Sequence, residues 1–175
     1  DAEAKAVVTA DFSWRRGKRI GMLEVIDAAA ASVPSLRHVI VVERDPRSVR
    51  FESTDRHRAW RELVADAREM APVELPAETT AMIVYTSGTT GKPKGTVHTH
   101  CGFMTKAALD FGLILDLRPD DRLLWMSDMG WLTGPILAVA VPLVGATMLL
   151  AEGVPDYPEP GRLWRRYLIY NPLFM

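Results

Sequence analysis

The chain has 175 residues, with 21 Lys and Arg against 22 Asp and Glu, so its formal net charge is −1. Hydrophobic residues make up 48% of it and charged residues 25%, which excludes a disordered or collagen-like chain, and one cysteine excludes a disulfide scaffold. A near-neutral charge is untypical of nucleic-acid-binding proteins, so no nucleic-acid partner is expected. The single cysteine and the lack of a signal-like segment at Asp1 predict a cytoplasmic location.

Runs of apolar residues and helical periodicities alternate along the chain. In chain order they predict a strand at 6–10, a helix at 22–31, a strand at 37–42, a surface loop at 44–58, a helix at 59–71, a linker at 72–80, a buried strand at 81–85, a helix at 100–112, a strand at 122–126 and a helical run at 160–170. The helix at 59–71 is expected to be amphipathic, with one apolar face formed by Trp60, Leu63, Val64, Ala67 and Met70. This alternation predicts an α/β fold with a mostly parallel sheet flanked by helices.

The uncharged stretch at 131–151 is 21 residues long, enough to span a bilayer. Pro142 and Gly145 interrupt it, however, and the acidic residues Asp128 and Glu152 flank it where basic residues are typical of membrane spans. A helix at 136–141, a turn at 144–145 and a strand at 147–150 fit these breakers better. A buried helix and strand are therefore favoured, with a membrane span as the alternative.

A Gly-rich loop at 86–95, Thr-Ser-Gly-Thr-Thr-Gly-Lys-Pro-Lys-Gly, comes directly after the strand at 81–85. Glycines allow backbone N–H groups to converge on an anion, hydroxyls donate to phosphate oxygens, and lysines offset negative charge. The spacing matches neither the P-loop nor the dinucleotide-binding pattern, because Pro93 comes after Lys92 where a P-loop has Ser or Thr. A polyphosphate site is the favoured interpretation, and a flexible polar turn is the alternative.

Together with Val97-His-Thr-His100, residues 85–95 resemble the signature loop of the AMP-forming acyl-CoA synthetases, in the adenylate-forming superfamily. Asp128-Met-Gly-Trp-Leu-Thr-Gly134 resembles the D-x-G-W-x-T-G element of the acetyl- and propionyl-CoA synthetase-like branch, and Gly145-Ala-Thr and 152–158 resemble the segments next in order in that branch. Arg15-Arg-Gly-Lys18 resembles the family's coenzyme A-contacting segment. The resemblance covers 1 to about 164 and implies part of the large N-terminal, AMP-binding domain.

Members of this family activate a carboxylic acid with MgATP to an acyl-adenylate and then transfer the acyl group to coenzyme A. The resemblance implies ATP, Mg²⁺, coenzyme A and a small carboxylic acid as ligands. It implies phosphate ligands at Thr86, Ser87, Gly88, Thr89, Thr90, Gly91 and Lys92, supported by Lys94 and Gly95; an acyl or nucleotide pocket at Trp131, Leu132, Thr133 and Gly134; and coenzyme A contacts at Arg15, Arg16, Gly17 and Lys18. The alternatives are a core aromatic at Trp131 and a solvated turn at 15–18.

The remaining candidate residues give weaker indications of function. His98 and His100 have no third ligand at metal-site spacing, so no metal site is predicted, and Cys101 is expected to be a small packing residue. Leu132 stands where the acetate-specific pattern has Val or Ile, which leaves the acid open.

The family's adenine motif, ribose-binding Asp and hinge find no match in this sequence, nor does the C-terminal catalytic domain with its catalytic Lys. Residues 1–175 are therefore expected to be an incomplete fragment of the N-terminal domain, without the catalytic Lys and inactive alone. Two alternatives are part of another adenylate-forming enzyme, activating an aryl or amino acid, and a non-catalytic nucleotide-binding remnant. The oligomeric state is left open.

Overall fold

The computed structural model describes residues 2–45, 51–87 and 91–174, which divide into two compact units, 1–72 and 73–175. The division falls at the start of the predicted linker at 72–80, where the chain is Pro-interrupted and leaves regular structure. Each unit has its own sheets and helices.

The first unit is built around a parallel sheet. Its elements are β1 (Ala6–Ala10), β2 (Phe12–Arg15), β3 (Lys18–Gly21), α1 (Leu23–Ala30), β4 (His38–Val42), β5 (His57–Ala59) and α2 (Trp60–Ala65). The sheet has the order β1-β4-β5 and all its pairings are parallel, while β2 and β3 form an antiparallel pair. Val39 and Val41 in the central strand are fully buried, which confirms the apolar run as a strand and explains it.

The helix predicted at 59–71 is wrong in length, because α2 ends at Ala65. None of its residues is buried, and Met70, assigned to the same apolar face, is 82% exposed. A helix of this length is marginal in water without tertiary packing, and apolar periodicity alone did not supply that packing. Similarly, β5 begins inside the surface loop predicted at 44–58, because residues 57–59 pair with β4; residues 46–50 of that loop lie outside the described residues.

The second unit combines an antiparallel pair with a parallel sheet. Its elements are β6 (Thr80–Thr86), β7 (Lys94–Thr99), α3 (His100–Ala108), a π-helix (Leu109–Ile114), β8 (Arg122–Leu124), α4 (Thr133–Val144), β9 (Thr147–Leu149), α5 (Arg162–Tyr170) and β10 (Leu173–Phe174). β6 pairs with β7 antiparallel, and β10-β8-β9 is parallel. The predicted α/β class with largely parallel pairing is confirmed.

The core of the second unit lies between α3, the π-helix, α4 and β8. Leu117, Leu123, Leu137 and Val141 are each at most 5% exposed within it. The α4 helix is longer than the predicted 136–141, includes Pro142 in its last turn and ends at Gly145. No helix in the described part of the chain is both long enough and apolar enough to cross a bilayer.

Two predictions in this unit need correction. The strand at 81–85 is present, as part of β6, but it is not buried, because its only described sheet partner is β7 and its residues are exposed or half-buried. The helix expected at 100–112 is α-helical only to Ala108, after which the chain continues as the π-helix. The π-helix therefore places the side chains after Ala108 differently from an α-helical continuation.

Gly145 ends α4 in the left-handed conformation, with φ of +86°. We expect Gly145→Ala to lower the free energy of unfolding by about 1 kcal/mol, because a Cβ is strained at this φ although it would meet Pro119 only at ordinary contact distance. Gly112→Ala is the matched control, since its Cβ would meet only ordinary contact and its φ is not in the left-handed region. Urea unfolding of both variants measures the difference, and equal midpoints would contradict this role of Gly145.

Candidate functional site

The β6–β7 hairpin carries the Gly-rich loop at its end. Thr86 pairs with Lys94, so the connecting turn runs from 87 to 93. The predicted loop at 86–95 is therefore too long, since Thr86 ends β6 and Lys94 and Gly95 begin β7. Of the predicted phosphate ligands, Gly88, Thr89 and Thr90 lie outside the described residues.

The described part of this turn exposes hydrogen-bond donors and positive charge. Ser87, Lys92 and Lys94 are exposed, and Gly91 adopts a φ of +79° with open space on the side where a Cβ would stand. This φ is one that glycine adopts freely, and it allows the chain to reverse direction before the lysines. The turn and the first residue of β7 therefore present a hydroxyl and two ammonium groups at one end of a hairpin.

Gly95 has a different physical role from the one expected of a turn glycine. It pairs with Tyr85 inside the hairpin, and a Cβ on it would lie 2.9 Å from Ile83 Cγ2 and 3.3 Å from the Tyr85 ring. A side chain here would force these two residues of β6 to move. Gly95 therefore allows close packing across the hairpin that supports the turn.

The residues after the turn connect it to α3. The Thr96 hydroxyl donates to Val84 O at 2.9 Å, and the Thr99 hydroxyl accepts from Gly102 N at 3.1 Å as the N-cap of α3. The His98 ring packs edge-on against Phe103, with 5.4 Å between ring centroids.

Neither His98 nor Cys101 takes part in a cluster of metal-binding groups. No group of three or more His, Cys, Asp or Glu side chains comes together among the described residues. The prediction that Cys101 is a packing residue is wrong, because Cys101 lies exposed in the first turn of α3.

A tight turn at 128–134 leads into α4. Gly130 N donates to the Asp128 carboxylate at 2.7 Å, Trp131 N donates to Asp128 O at 3.1 Å, and Gly134 N donates to Trp131 O at 3.0 Å. A Cβ on Gly134 would lie 2.5 Å from Met129 Cα and 2.9 Å from Asp128 O. Only glycine therefore allows the start of α4 to approach the backbone of this turn so closely.

The predicted pocket residues at 131–134 separate into distinct environments. Leu132 and Thr133 line an apolar cavity of about 280 Å³. Trp131 is 72% exposed, so the alternative of a core aromatic is wrong, and Gly134 is buried beneath the turn. The turn thus contributes two side chains to a cavity and one aromatic ring to the surface.

In the first unit, the basic cluster forms the end of the β2–β3 hairpin. Arg16 (φ +48°) and Gly17 (φ +74°) make a two-residue turn, and Arg15 pairs with Lys18. This hairpin was not predicted from the sequence. A two-residue turn with Gly in second place, such as Arg16-Gly17, is nevertheless typical of β-hairpins. All four predicted coenzyme A contacts are exposed at its end.

Aromatic packing supports this basic turn. The Arg19 guanidinium lies 4.1 Å from the centroid of the buried Phe12 ring, and Phe12 packs edge-on against Trp14 at 5.7 Å. Cation–π contact of this kind holds a guanidinium in place without neutralising its charge. The basic side chains of the β2–β3 hairpin are therefore clustered on a paired backbone that is packed against Phe12.

Comparisons with known proteins match related enzymes over nearly the whole chain. A family model described as AMP-binding enzyme matches residues 1–175. The chain is 40% identical to acetyl-coenzyme A synthetase of Streptomyces coelicolor over 94% of its length and 26% of that protein's, and 41% identical to acetyl-coenzyme A synthetase 2 of Pseudomonas putida over the same shares. The solved structure of acetoacetyl-CoA synthetase from Streptomyces lividans superposes with a TM-score of 0.85 at 28% identity, over 98% of this chain and 26% of that one. The chain thus spans about a quarter of the length of these curated relatives.

The close approach at Gly134 gives a test of the turn. We expect Gly134→Ala to lower the free energy of unfolding by about 1–3 kcal/mol, because its Cβ would overlap backbone atoms that cannot move independently. Gly161→Ala is the control, since its Cβ would enter open space. Chemical denaturation monitored by circular dichroism measures both, and a Gly134→Ala variant as stable as the control would contradict the packing described.

Proposed function

Because the chain belongs to the AMP-binding enzyme family, we propose that it is part of an AMP-forming acid–CoA ligase and supplies the site for the ATP phosphates. The exposed Ser87 hydroxyl and the exposed Lys92 and Lys94 ammonium groups, together at the end of the β6–β7 hairpin, are the observation that carries this proposal. The names of the relatives support it, since acetyl-CoA and acetoacetyl-CoA synthetases both join a carboxylic acid to coenzyme A.

The donors of this turn fit a polyphosphate. Ser87 would donate its hydroxyl, the amides near Gly91 would converge on phosphate oxygens, and Lys92 and Lys94 would offset the negative charge. The centre of the predicted ligand set, 88–90, lies outside the described residues and is proposed on the resemblance alone. Mg²⁺ would arrive on the phosphates, which suits a donor set of hydroxyls and amides with no cluster of protein ligands among the described residues.

The proposed reaction has two steps. A carboxylate oxygen of the acid attacks the α-phosphorus of ATP and pyrophosphate leaves; the thiol sulfur of coenzyme A then attacks the acyl carbon, and AMP leaves as the thiol proton goes to solvent. The lysines contribute to the first step, because they stabilise the charge that accumulates on the departing pyrophosphate. Leu132 and Thr133 would contact the acyl group, and we propose no residue of this chain as the catalytic Lys.

The exposed basic turn at 15–18 is proposed to bind the 3′-phosphorylated ADP part of coenzyme A. Arg15, Arg16 and Lys18 present three cations around a reversal of the chain, and guanidinium groups bind phosphate through paired hydrogen bonds. Gly17 keeps the turn narrow enough for these side chains to share one ligand.

Lys92→Ala tests the phosphate site. We expect it to weaken the binding of MgATP and of magnesium pyrophosphate by about 10- to 100-fold, because a hydrogen bond to a charged group contributes about 1.5–3 kcal/mol. Lys5→Ala removes the same charge from an exposed position in the first unit and is the control. Isothermal titration of both variants measures their affinity for MgATP. An affinity unchanged in Lys92→Ala would contradict the phosphate site and favour a nucleotide-independent role for the turn.

The activity of the chain is tested separately. We expect the purified chain to bind MgATP yet to form no acyl-CoA from any acid, because no catalytic Lys is assigned within it. Product analysis by mass spectrometry measures this, and turnover would contradict the expectation. Pyrophosphate exchange by a longer protein containing this sequence, with aliphatic, aryl and amino acids, separates an acid–CoA ligase from other adenylate-forming enzymes.

The basic turn is tested with coenzyme A and 3′-dephospho-coenzyme A. We expect the chain to bind coenzyme A more tightly, and we expect Arg15→Ala combined with Lys18→Ala to remove most of that preference, because the added phosphate is the charge they would neutralise. Arg68→Ala combined with Lys5→Ala removes equal charge from exposed positions and is the control. Equal affinities for the two ligands would contradict the assignment.

A further inference from the structure

The outer edge of β6 has no strand beside it among the described residues, since β6 pairs with β7 alone. The Thr96 hydroxyl donates to Val84 O, so the carbonyl group of Val84 faces β7. Successive residues of a strand direct their N–H and C=O groups to opposite edges, so those of Ile83 and Tyr85 face away from β7. The outer edge of β6 therefore presents backbone donors and acceptors to a further strand.

The composition of β6 does not protect this edge. Thr80–Thr86, Thr-Ala-Met-Ile-Val-Tyr-Thr, has neither charge nor proline and is rich in residues that favour strands. Native proteins protect exposed strand edges with lysine, proline, bulges or very short strands. β7 contains Lys94, and the register shift of the hairpin lies at the start of β6, between Thr80 and Met82. Residues 83–86 thus form a regular, uncharged edge.

The side chains of this part of β6 indicate which strand fits beside it. Ile83 is 39% exposed and Tyr85 is 43% exposed, although both lie close to Gly95 across the hairpin. An aromatic and a β-branched side chain directly opposite each other stabilise an antiparallel pair. A complementary strand therefore carries Tyr and Ile two residues apart, and β6 itself has this pattern.

We propose that the outer edge of β6 pairs antiparallel with β6 of a second copy of this chain. A twofold axis at Val84 places Ile83 opposite Tyr85 of the second copy and Val84 opposite its own equivalent. The outward N–H and C=O groups of Ile83 and Tyr85 then form about four hydrogen bonds between the copies. This inference goes beyond the proposed function and does not depend on it.

The charges next to β6 suit this antiparallel arrangement. Glu78 is the nearest charged residue before the strand and Lys92 is the nearest one after it, and both are exposed. In an antiparallel pair, the start of each strand lies beside the end of the other. Glu78 of each copy is therefore on the same side of the pair as Lys92 of the other, so opposite charges flank the interface.

Sedimentation of the chain over a range of concentrations tests the proposal. We expect the mass to rise from that of the 19.5 kDa monomer to twice that value as the concentration increases. A chain that stays monomeric at high micromolar concentration overturns the proposal and leaves the edge to a strand of another kind. Assembly that continues beyond the dimer also overturns it, because pairing about a twofold axis uses each β6 edge once.

Ile83→Pro and Val97→Pro identify the edge that pairs. Val97 lies opposite Ile83 in the hairpin, so its N–H group faces the outer edge of β7. Proline at either position removes a donor from an outer edge and none from the bonds between β6 and β7. We expect Ile83→Pro to remain monomeric and Val97→Pro to dimerise, with far-UV circular dichroism reporting that both fold. Dimerisation of folded Ile83→Pro, or its loss in both folded variants, overturns the proposal.

Disulfide cross-linking tests the register without proline. Facing residues of a non-hydrogen-bonded antiparallel pair have Cα atoms about 4.5 Å apart, within the range of a disulfide. We expect Val84→Cys, with Cys101→Ser removing the one native thiol, to form a covalent dimer on oxidation, since Val84 meets its equivalent at the axis. Val97→Cys in the same background is the control, because Val97 is 60% exposed but lies on β7. Equal cross-linking of the two variants, or none in Val84→Cys, overturns the proposed pairing.

Discussion

The antiparallel pairing of β6 with β7 is the constraint on which the turn at 87–93, proposed to bind phosphate, depends. The pairing of Thr86 with Lys94 fixes both ends of the connecting segment, so the lysines are held at the end of a hairpin with regular hydrogen bonds. Gly95 makes that pairing close, because it removes the side chain that would meet Ile83 and Tyr85. The same strand then ends at Thr99, whose hydroxyl begins α3. One strand pairing thus positions the turn proposed to bind phosphate and the helix that leads to the core.

The second support is the packing of α4 against the turn that precedes it. Gly134 is buried against Met129 and Asp128, and this contact sets where Leu132 and Thr133 lie. The buried residues Leu137 and Val141 anchor the rest of α4 in the core. Side chains proposed to contact the acyl group are therefore attached to a rigid helix, which is how a binding site keeps its geometry.

Local sequence signals predicted much of this structure. The strand at 6–10 and the helix–turn–strand at 136–150 were predicted because apolar runs and glycine or proline breakers report on the local backbone. β7 was missed, because Lys94-Gly-Thr-Val-His-Thr99 has little apolar content and forms a strand only through pairing with β6. Leu132 and Thr133 were expected in a pocket from the resemblance, but the rest of the cavity's lining could not be predicted, since it comes from separate segments of the chain. A polyphosphate site was indicated by the residues of the loop itself, whereas its assignment to ATP and the coenzyme A contacts came from the resemblance; all of these remain proposals.

The π-helix has a consequence for how such a cavity could change between related proteins. An α-helix turns by about 100° per residue, and a π-turn accommodates one extra residue in the same length of helix. Loss of a single residue within 109–114 would restore α-helical spacing and rotate the side chains of α3 relative to Phe111 and Ile114. The shape of the apolar cavity beside the turn at 128–134 is thus open to alteration by a one-residue deletion as well as by substitution of the lining side chains.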